Sequence, residues 1–184
     1  MSVRLFFLGL AGSGKDTIRI KLESKLFKEG LISVDIGTVL RERAQTDENI
    51  KDVQAAGGIV SSDKVLDLFE ELLLKEDFLI SGSPRRPEEA SWIVRHDNWK
   101  KNPGYLVYLN ISEQAATERL LKRGRYDDQV DVIKNRIELF NKVTIESINI
   151  FRQENRLIEI YADGLSPDEV CDQIIQELKK RENV

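Results

Sequence analysis

Cysteine and histidine are nearly absent. The 184-residue chain has one of each, Cys171 and His96. A single cysteine excludes an internal disulfide and a cysteine-based zinc site, and its neighbours Val170, Ile174 and Ile175 mark it as a small core residue. One histidine without a placed partner makes no acid–base pair; His96 reads as a surface residue near a helix end. An excess of basic charge is missing too. With 28 Lys and Arg against 32 Asp and Glu, the net charge is -4, which argues against a dedicated nucleic-acid or anionic-membrane binder. Any anion site must therefore come from local arginine clustering. No apolar stretch approaches the roughly 20 residues that span a bilayer. The N-terminus lacks a secretory pattern, since one arginine precedes a short apolar run. Internal repeats, linkers and low-complexity tracts are lacking as well. A soluble, cytoplasmic, single-domain protein over residues 1–184 is expected from this length and from 41% hydrophobic and 33% charged residues.

What is present begins with Gly9-Leu10-Ala11-Gly12-Ser13-Gly14-Lys15-Asp16-Thr17. The apolar run Val3–Leu8 before it reads as a buried strand, and Ile18, Ile20, Leu22, Leu26 and Phe27 after it are spaced for one helix face. A glycine-rich turn between strand and helix lets backbone N–H groups approach a phosphate, while the helix N-terminus and Lys15 supply positive charge. Gly9, Gly14 and Lys15 satisfy G-x-x-x-x-G-K, with Asp16 next and the hydroxyl displaced to Thr17. Binding of a nucleoside triphosphate is the expectation.

Strand and helix patterns then alternate to the C-terminus, the mark of a parallel sheet covered on both faces. Strands are expected at 31–34, 78–80, 104–109 and 156–161. Helices are expected over 39–44, from Ser62 and Asp63 as caps, from Pro87, from Ser112, along 130–151, and from Ser166-Pro167. Arginine is offered by five places distant in sequence: Arg41, Arg85 with Arg86, Arg119 with Arg123, Arg125, and Arg136. Arg85 follows a strand end, where parallel sheets bind ligands, and Arg119 and Arg123 share a helix face. Phosphoryl transfer asks mainly for aligned phosphates and positive charge, and a guanidinium binds two phosphate oxygens at once. A phosphate loop with arginines from several elements is the inventory of a small-molecule kinase.

On these motifs the chain resembles, nearly end to end, the adenylate kinase family of nucleoside monophosphate kinases. Residues 9–17 resemble its G-x-P-G-x-G-K-G-T loop, with Ala11 for proline and Asp16 for glycine. Residues 36–41 resemble T-G-D-x-L-R, 57–60 match G-x-L-V, and 81–85 resemble D-G-F-P-R. Residues 125–128 resemble the lid motif G-R-x-D-D. The resemblance implies a P-loop NTPase three-layer α/β fold with a five-stranded parallel sheet. It also implies a small helical monophosphate-binding insert at 31–60 and a lid reduced to 123–128. It implies reversible phosphoryl transfer from ATP to a nucleoside monophosphate, AMP foremost, with magnesium, in a monomer.

By the same resemblance Gly12, Ser13, Gly14, Lys15, Asp16, Thr17, Arg119, Arg123 and Gly164 would hold ATP. Gly37, Thr38, Arg41, Ile59, Val60, Gly82, Arg85, Glu89, Arg125 and Arg136 would hold the monophosphate. Lys15, Arg85, Arg123, Arg125 and Arg136 would act on the transferring group. Two departures stand out. Ser81 replaces a carboxylate that in the family orients water on magnesium, so Thr17 and Asp16 are the expected metal contacts, Asp16 partly substituting. Glu89 replaces a base-reading glutamine, and an ionised carboxylate only accepts hydrogen bonds, which leaves the acceptor base open. Two rivals follow: a P-loop kinase of another small acceptor, such as a deoxynucleotide or a sugar acid, and a weakly catalytic nucleotide-binding regulator.

Overall fold

The computed structural model describes residues 2–26, 28–125 and 128–182; Phe27 of the first helix pattern and Tyr126 and Asp127 of the lid motif lie outside them. Five strands, β1 (Arg4–Gly9), β2 (Ile32–Asp35), β3 (Phe78–Ser81), β4 (Tyr105–Asn110) and β5 (Leu157–Tyr161), form one sheet in the order β2-β3-β1-β4-β5. All four pairings are parallel. Parallel strands need crossovers, and helices supply them. β1 is central and buried along its whole length. Successive side chains point to opposite faces, so fully buried Phe6 and Phe7 require cover on both sides.

On one face Phe6 meets Phe69 of α4 (Asp63–Leu73), Trp99 of α6 (Asp97–Lys101) and Phe151 of α9 (Ile145–Gln153), with ring centroids 5.8, 5.9 and 6.2 Å away. Edge-on and tilted contacts at these distances are the favourable geometry for aromatic rings. α5 (Pro87–Arg95) packs on α9, while α1 (Lys15–Leu26) packs on α10 (Pro167–Glu182) and on the sheet. Cys171 is buried at the α1–α10 contact, its thiol facing the carbonyl of Ile18.

The remaining helices are α2 (Ile36–Arg43), α3 (Glu48–Ala55), α7 (Glu113–Arg123) and α8 (Val130–Leu139). Of the stretch 31–60, Ile32–Asp35 is the sheet's edge strand, and α2 and α3 follow it outside the sheet. Several local signals hold. Ser112 caps α7, Ser166 and Glu169 form a reciprocal capping pair, and Pro87 opens α5.

Four expectations need correction. α2 begins three residues early because Asp35 caps it through the Gly37 and Thr38 N–H groups. Ser62 makes no side-chain cap bond; its hydroxyl lies instead 3.1 and 3.3 Å from the Glu88 and Glu89 carboxylates of α5, with one proton to donate between them. The single helical pattern over 130–151 is broken by a π-helical turn, Phe140–Thr144, between α8 and α9. His96 is half-buried: its ring lies tilted against Trp92 with centroids 4.8 Å apart, and it caps α6. Helices α3 and α6 are too short to show a clear apolar period.

Candidate functional site

The glycine loop leaves β1 at its C-terminal end and enters α1 directly, so Lys15 is the first residue of that helix. Gly12 has φ +88°, and a Cβ there would lie 2.7 Å from the Ala116 carbonyl oxygen. Only glycine combines that conformation with that close approach. Two cavities flank the loop. Gly9, Gly12, Lys15 and Asp16 face the first, while Ser13, Gly14 and Thr17 face the second.

Six cationic side chains, Lys15, Arg41, Arg85, Arg123, Arg125 and Arg136, line the first cavity. They come from α1, α2, the turn after β3, the end of α7, the turn beyond it and α8. Gly37, Ile59, Val60, Gly82 and Glu89 line it too. Arg119 faces the second cavity, where its guanidinium approaches the Gly12 carbonyl at 3.4 Å. Gly164 sits between Ala162 and Leu165, both of which line that cavity. Thr38 is exposed, with its hydroxyl donating to Asp35 and accepting from Arg41.

Local structure explains each position. Gly82, at φ +82°, donates its N–H to the Phe7 carbonyl, which locks the turn after β3 to the end of β1. The following Ser83–Pro84 bond is cis. Arg85 then folds back, its Nε donating to the Gly82 carbonyl at 2.9 Å. Arg86 reaches across to the Ile59 and Val60 carbonyls at 3.0 and 3.2 Å and fixes that turn.

Electrostatics mark this as an anion site. Burial depresses the Lys15 pKa below the ordinary lysine value, and the Arg85 and Arg123 charges press the same way against Asp16 and Asp35. Arg85 is likewise depressed, by burial first and then by Arg136. Cations gathered at a mutual cost are stabilised by an anion between them.

Two carboxylates organise the cations, and sequence reading gave neither a role of its own. Asp35 accepts from the N–H groups of Gly37 and Thr38, from the Thr38 hydroxyl and from Arg41. Burial pushes its pKa up, but Thr38, Lys15 and Arg41 outweigh that and hold it below the usual carboxylate value. Asp128, with its side chain 1% exposed, takes a bidentate pair from Arg123 at 2.7 and 2.9 Å. It also accepts the Arg125 N–H at 3.0 Å and has Arg136 at 3.6 Å. Asp35 was legible as a helix cap ahead of Gly37-Thr38; Asp128 was legible only as part of a motif. The π-helical turn also lines the first cavity through Phe140 and Thr144, and no periodicity announces it.

Glu89 is 1% exposed and is already engaged. Its Oε2 accepts from Arg85 N at 2.8 Å and Ser83 Oγ at 3.2 Å, and Ser62 Oγ approaches Oε1 at 3.3 Å. Burial raises its pKa against those donors. Glu89→Ala would strand the Arg85 amide and the buried Ser83 hydroxyl. A loss of about 2 kcal/mol is expected, read as a fall of roughly 4–8 °C in a thermal melt. Glu89→Gln, which keeps one acceptor oxygen, should recover most of it.

Comparison with known proteins adds a second line. A family model described as adenylate kinase matches residues 7–156. Among curated proteins, an adenylate kinase of Synechococcus sp. (strain CC9902) is 32% identical over 97% of this chain and 100% of its own length. One from Prochlorococcus marinus (strain AS9601) is 30% identical over 89% of this chain and 92% of its own. Adenylate kinase isoenzyme 1 of Caenorhabditis elegans is 28% identical over 95% and 87%.

Proposed function

The chain belongs to the adenylate kinase family, and from that premise we propose that it transfers the γ-phosphoryl group of ATP reversibly to a nucleoside monophosphate, AMP foremost. The observation that carries this reading is the convergence of six cations from six separate segments on one cleft beside the glycine loop. In this reading the loop and Lys15 take the donor phosphates. The second cavity, with Thr17 and Arg119 at its wall, takes the rest of the donor. Arg41 and Arg85 take the acceptor phosphate, with Gly37, Ile59, Val60 and Gly82 beside the acceptor nucleoside. Arg123, Arg125 and Arg136, gathered by Asp128, spread over the equatorial oxygens of the group in flight. Such a loose transition state asks for alignment and charge rather than covalent help. No side chain serves as general base, because the attacking oxygen already belongs to a phosphate anion. The segment beyond the edge strand, α2 and α3, would serve as the acceptor-binding insert, and the stretch 123–128 as a short lid over a monomer's single site.

Magnesium fits the residues present. It is ordinarily held by one or two carboxylates with retained water and phosphate oxygens rather than by a full protein cage. Asp16 brings one carboxylate to the first cavity beside Lys15, and among the described residues no group of three or more His, Cys, Asp or Glu side chains could hold a metal ion. Asp16 would help to hold the ion, whose chemistry when bound is positive charge supplied to the donor phosphates. Among the described residues no helix is long and apolar enough to cross a membrane.

The test is a coupled assay of the intact protein with ATP and magnesium across AMP, GMP, CMP, UMP and their deoxy forms. AMP is expected to give the highest kcat/KM. ATP binding without turnover of any monophosphate would overturn the reading, and a faster acceptor than AMP would reassign the base.

A further inference from the structure

A carboxylate in a cleft built for phosphates is electrostatically misplaced unless a cation stands between them. Asp35 meets this condition within the protein, since Arg41 and the α2 cap donors surround it. Asp16 does not. Its Oδ1 accepts the Ser81 hydroxyl at 2.7 Å, and among the described residues its Oδ2 accepts no hydrogen bond. Ser81 is fully buried at the end of β3, in register with Phe7 on one side and Asp35 on the other. Its hydroxyl lies within 3.4 Å of both carboxylates but has one proton to give. The shorter contact is to Asp16. That bond fixes the Asp16 side chain, and Asp16 lines the same cavity as Lys15 and Arg85.

An aspartate in the first turn of a helix has a plain structural use, because it complements the helix dipole. The dipole does not call for a buried serine from another element to hold that aspartate. We propose that Asp16 and Ser81 are one unit, in which Ser81 aims the open oxygen of Asp16 at the divalent cation of the donor nucleotide. Ser81 is thus a positioning residue. The carboxylate and its neighbour have changed places: residues 81–85 resemble D-G-F-P-R, but the acid stands on the glycine loop and the hydroxyl on the strand end. This rests on the reading of ATP as donor and needs no assumption about the acceptor.

The experiment measures Mn2+ binding to the full-length protein with ATP and no acceptor, by the loss of the free Mn2+ paramagnetic resonance signal. In parallel, binding of metal-free ATP is measured with chelator present. Asp16→Asn is expected to weaken Mn2+ binding to the nucleotide complex by about 10–100-fold, while metal-free ATP binds as well or more tightly because a repulsive charge is gone. Ser81→Ala should weaken Mn2+ binding by a smaller factor. The transposed double variant Asp16→Gly with Ser81→Asp should recover most of the affinity that Asp16→Gly alone loses. Unchanged Mn2+ affinity in Asp16→Asn would overturn the proposal. So would a parallel loss of Mn2+ and metal-free ATP binding, the mark of a helix-start role. If the metal responses appear but no monophosphate is phosphorylated, the acceptor reading falls and this one stands.

Discussion

Arg85→Ala is expected to lower kcat/KM by about 10³–10⁵, the range in which one arginine on a transferring phosphoryl group acts, with little change in melting temperature. The two halves of the expectation share one cause. Arg85 sits half-buried among Lys15 and Arg136, and its pKa is depressed first by burial and then by the Arg136 charge. The folded protein holds this guanidinium at a cost that bound phosphate would relieve, so its removal spares the empty site while it cripples the filled one. Its side-chain bond to the Gly82 carbonyl is local to a turn that Gly82 itself ties to β1. Arg85→Lys should recover only part of the loss, because an ammonium lacks the planar fork. Steady-state kinetics with a parallel thermal melt decide the matter. Activity within tenfold of the parent would remove Arg85 from the reaction, and a melt lowered by more than about 5 °C would give it a structural role.

Asp128→Ala should be damaging in both respects. The Arg123 and Arg136 side chains, from α7 and α8, and the Arg125 N–H meet on this one buried carboxylate. Without it Arg123 and Arg136 lose the counter-charge they share. A stability loss of about 3 kcal/mol is expected, at the low end for a broken buried ion pair because the Arg123 side chain is 35% exposed. A misplacement of about 1 Å in a positioning group costs about 10²-fold, so kcat/KM should fall by at least that. The pH dependence follows from the shift in Asp128. Burial alone would raise its pKa, but the Arg123 hydrogen bond, the Arg125 N–H and the Arg123 and Arg136 charges hold it below the ordinary value. Its contribution is therefore complete above the usual carboxylate range and is lost as pH falls through the lowered value. Denaturant melts of Asp128→Ala should show a shallower acid limb than the parent and the same deficit at pH 6 and pH 8. An equal activity in the two proteins would show that the arginines position themselves.

Much of the frame was legible in the chain alone. Alternating strand and helix patterns led to the parallel sheet, because a strand buried on both faces must be apolar throughout, as Arg4–Gly9 nearly is. The glycine loop, Arg41, Arg85, Arg123, Arg125 and Arg136 were readable because each lies beside a local signal, a turn glycine or a helix end. What escaped was relational. Glu89 was placed by resemblance at a base-reading position, and the chain alone did not show that its Oε2 accepts the Arg85 N–H at the start of α5. Ser62 looked like a cap, and instead it joins α4 to α5. The π-helical turn at Phe140 escaped because Ile133, Ile137, Phe140, Ile148 and Phe151 keep ordinary helical spacing across it.

The residues therefore determined by themselves that this protein carries a phosphate loop, a covered parallel sheet and a set of arginines suited to anions. These are properties of near neighbours in sequence, set by backbone conformation and by a 2.0 or 3.6 residue period. Only the tertiary structure decided that six cations share one cleft and that Asp128 gathers three of the donors. It alone decided that Asp16 lies on Ser81, 65 positions away in sequence. Strand register brings Ser81 between Phe7 and Asp35, and charges interact through distance in space, which chain separation does not measure.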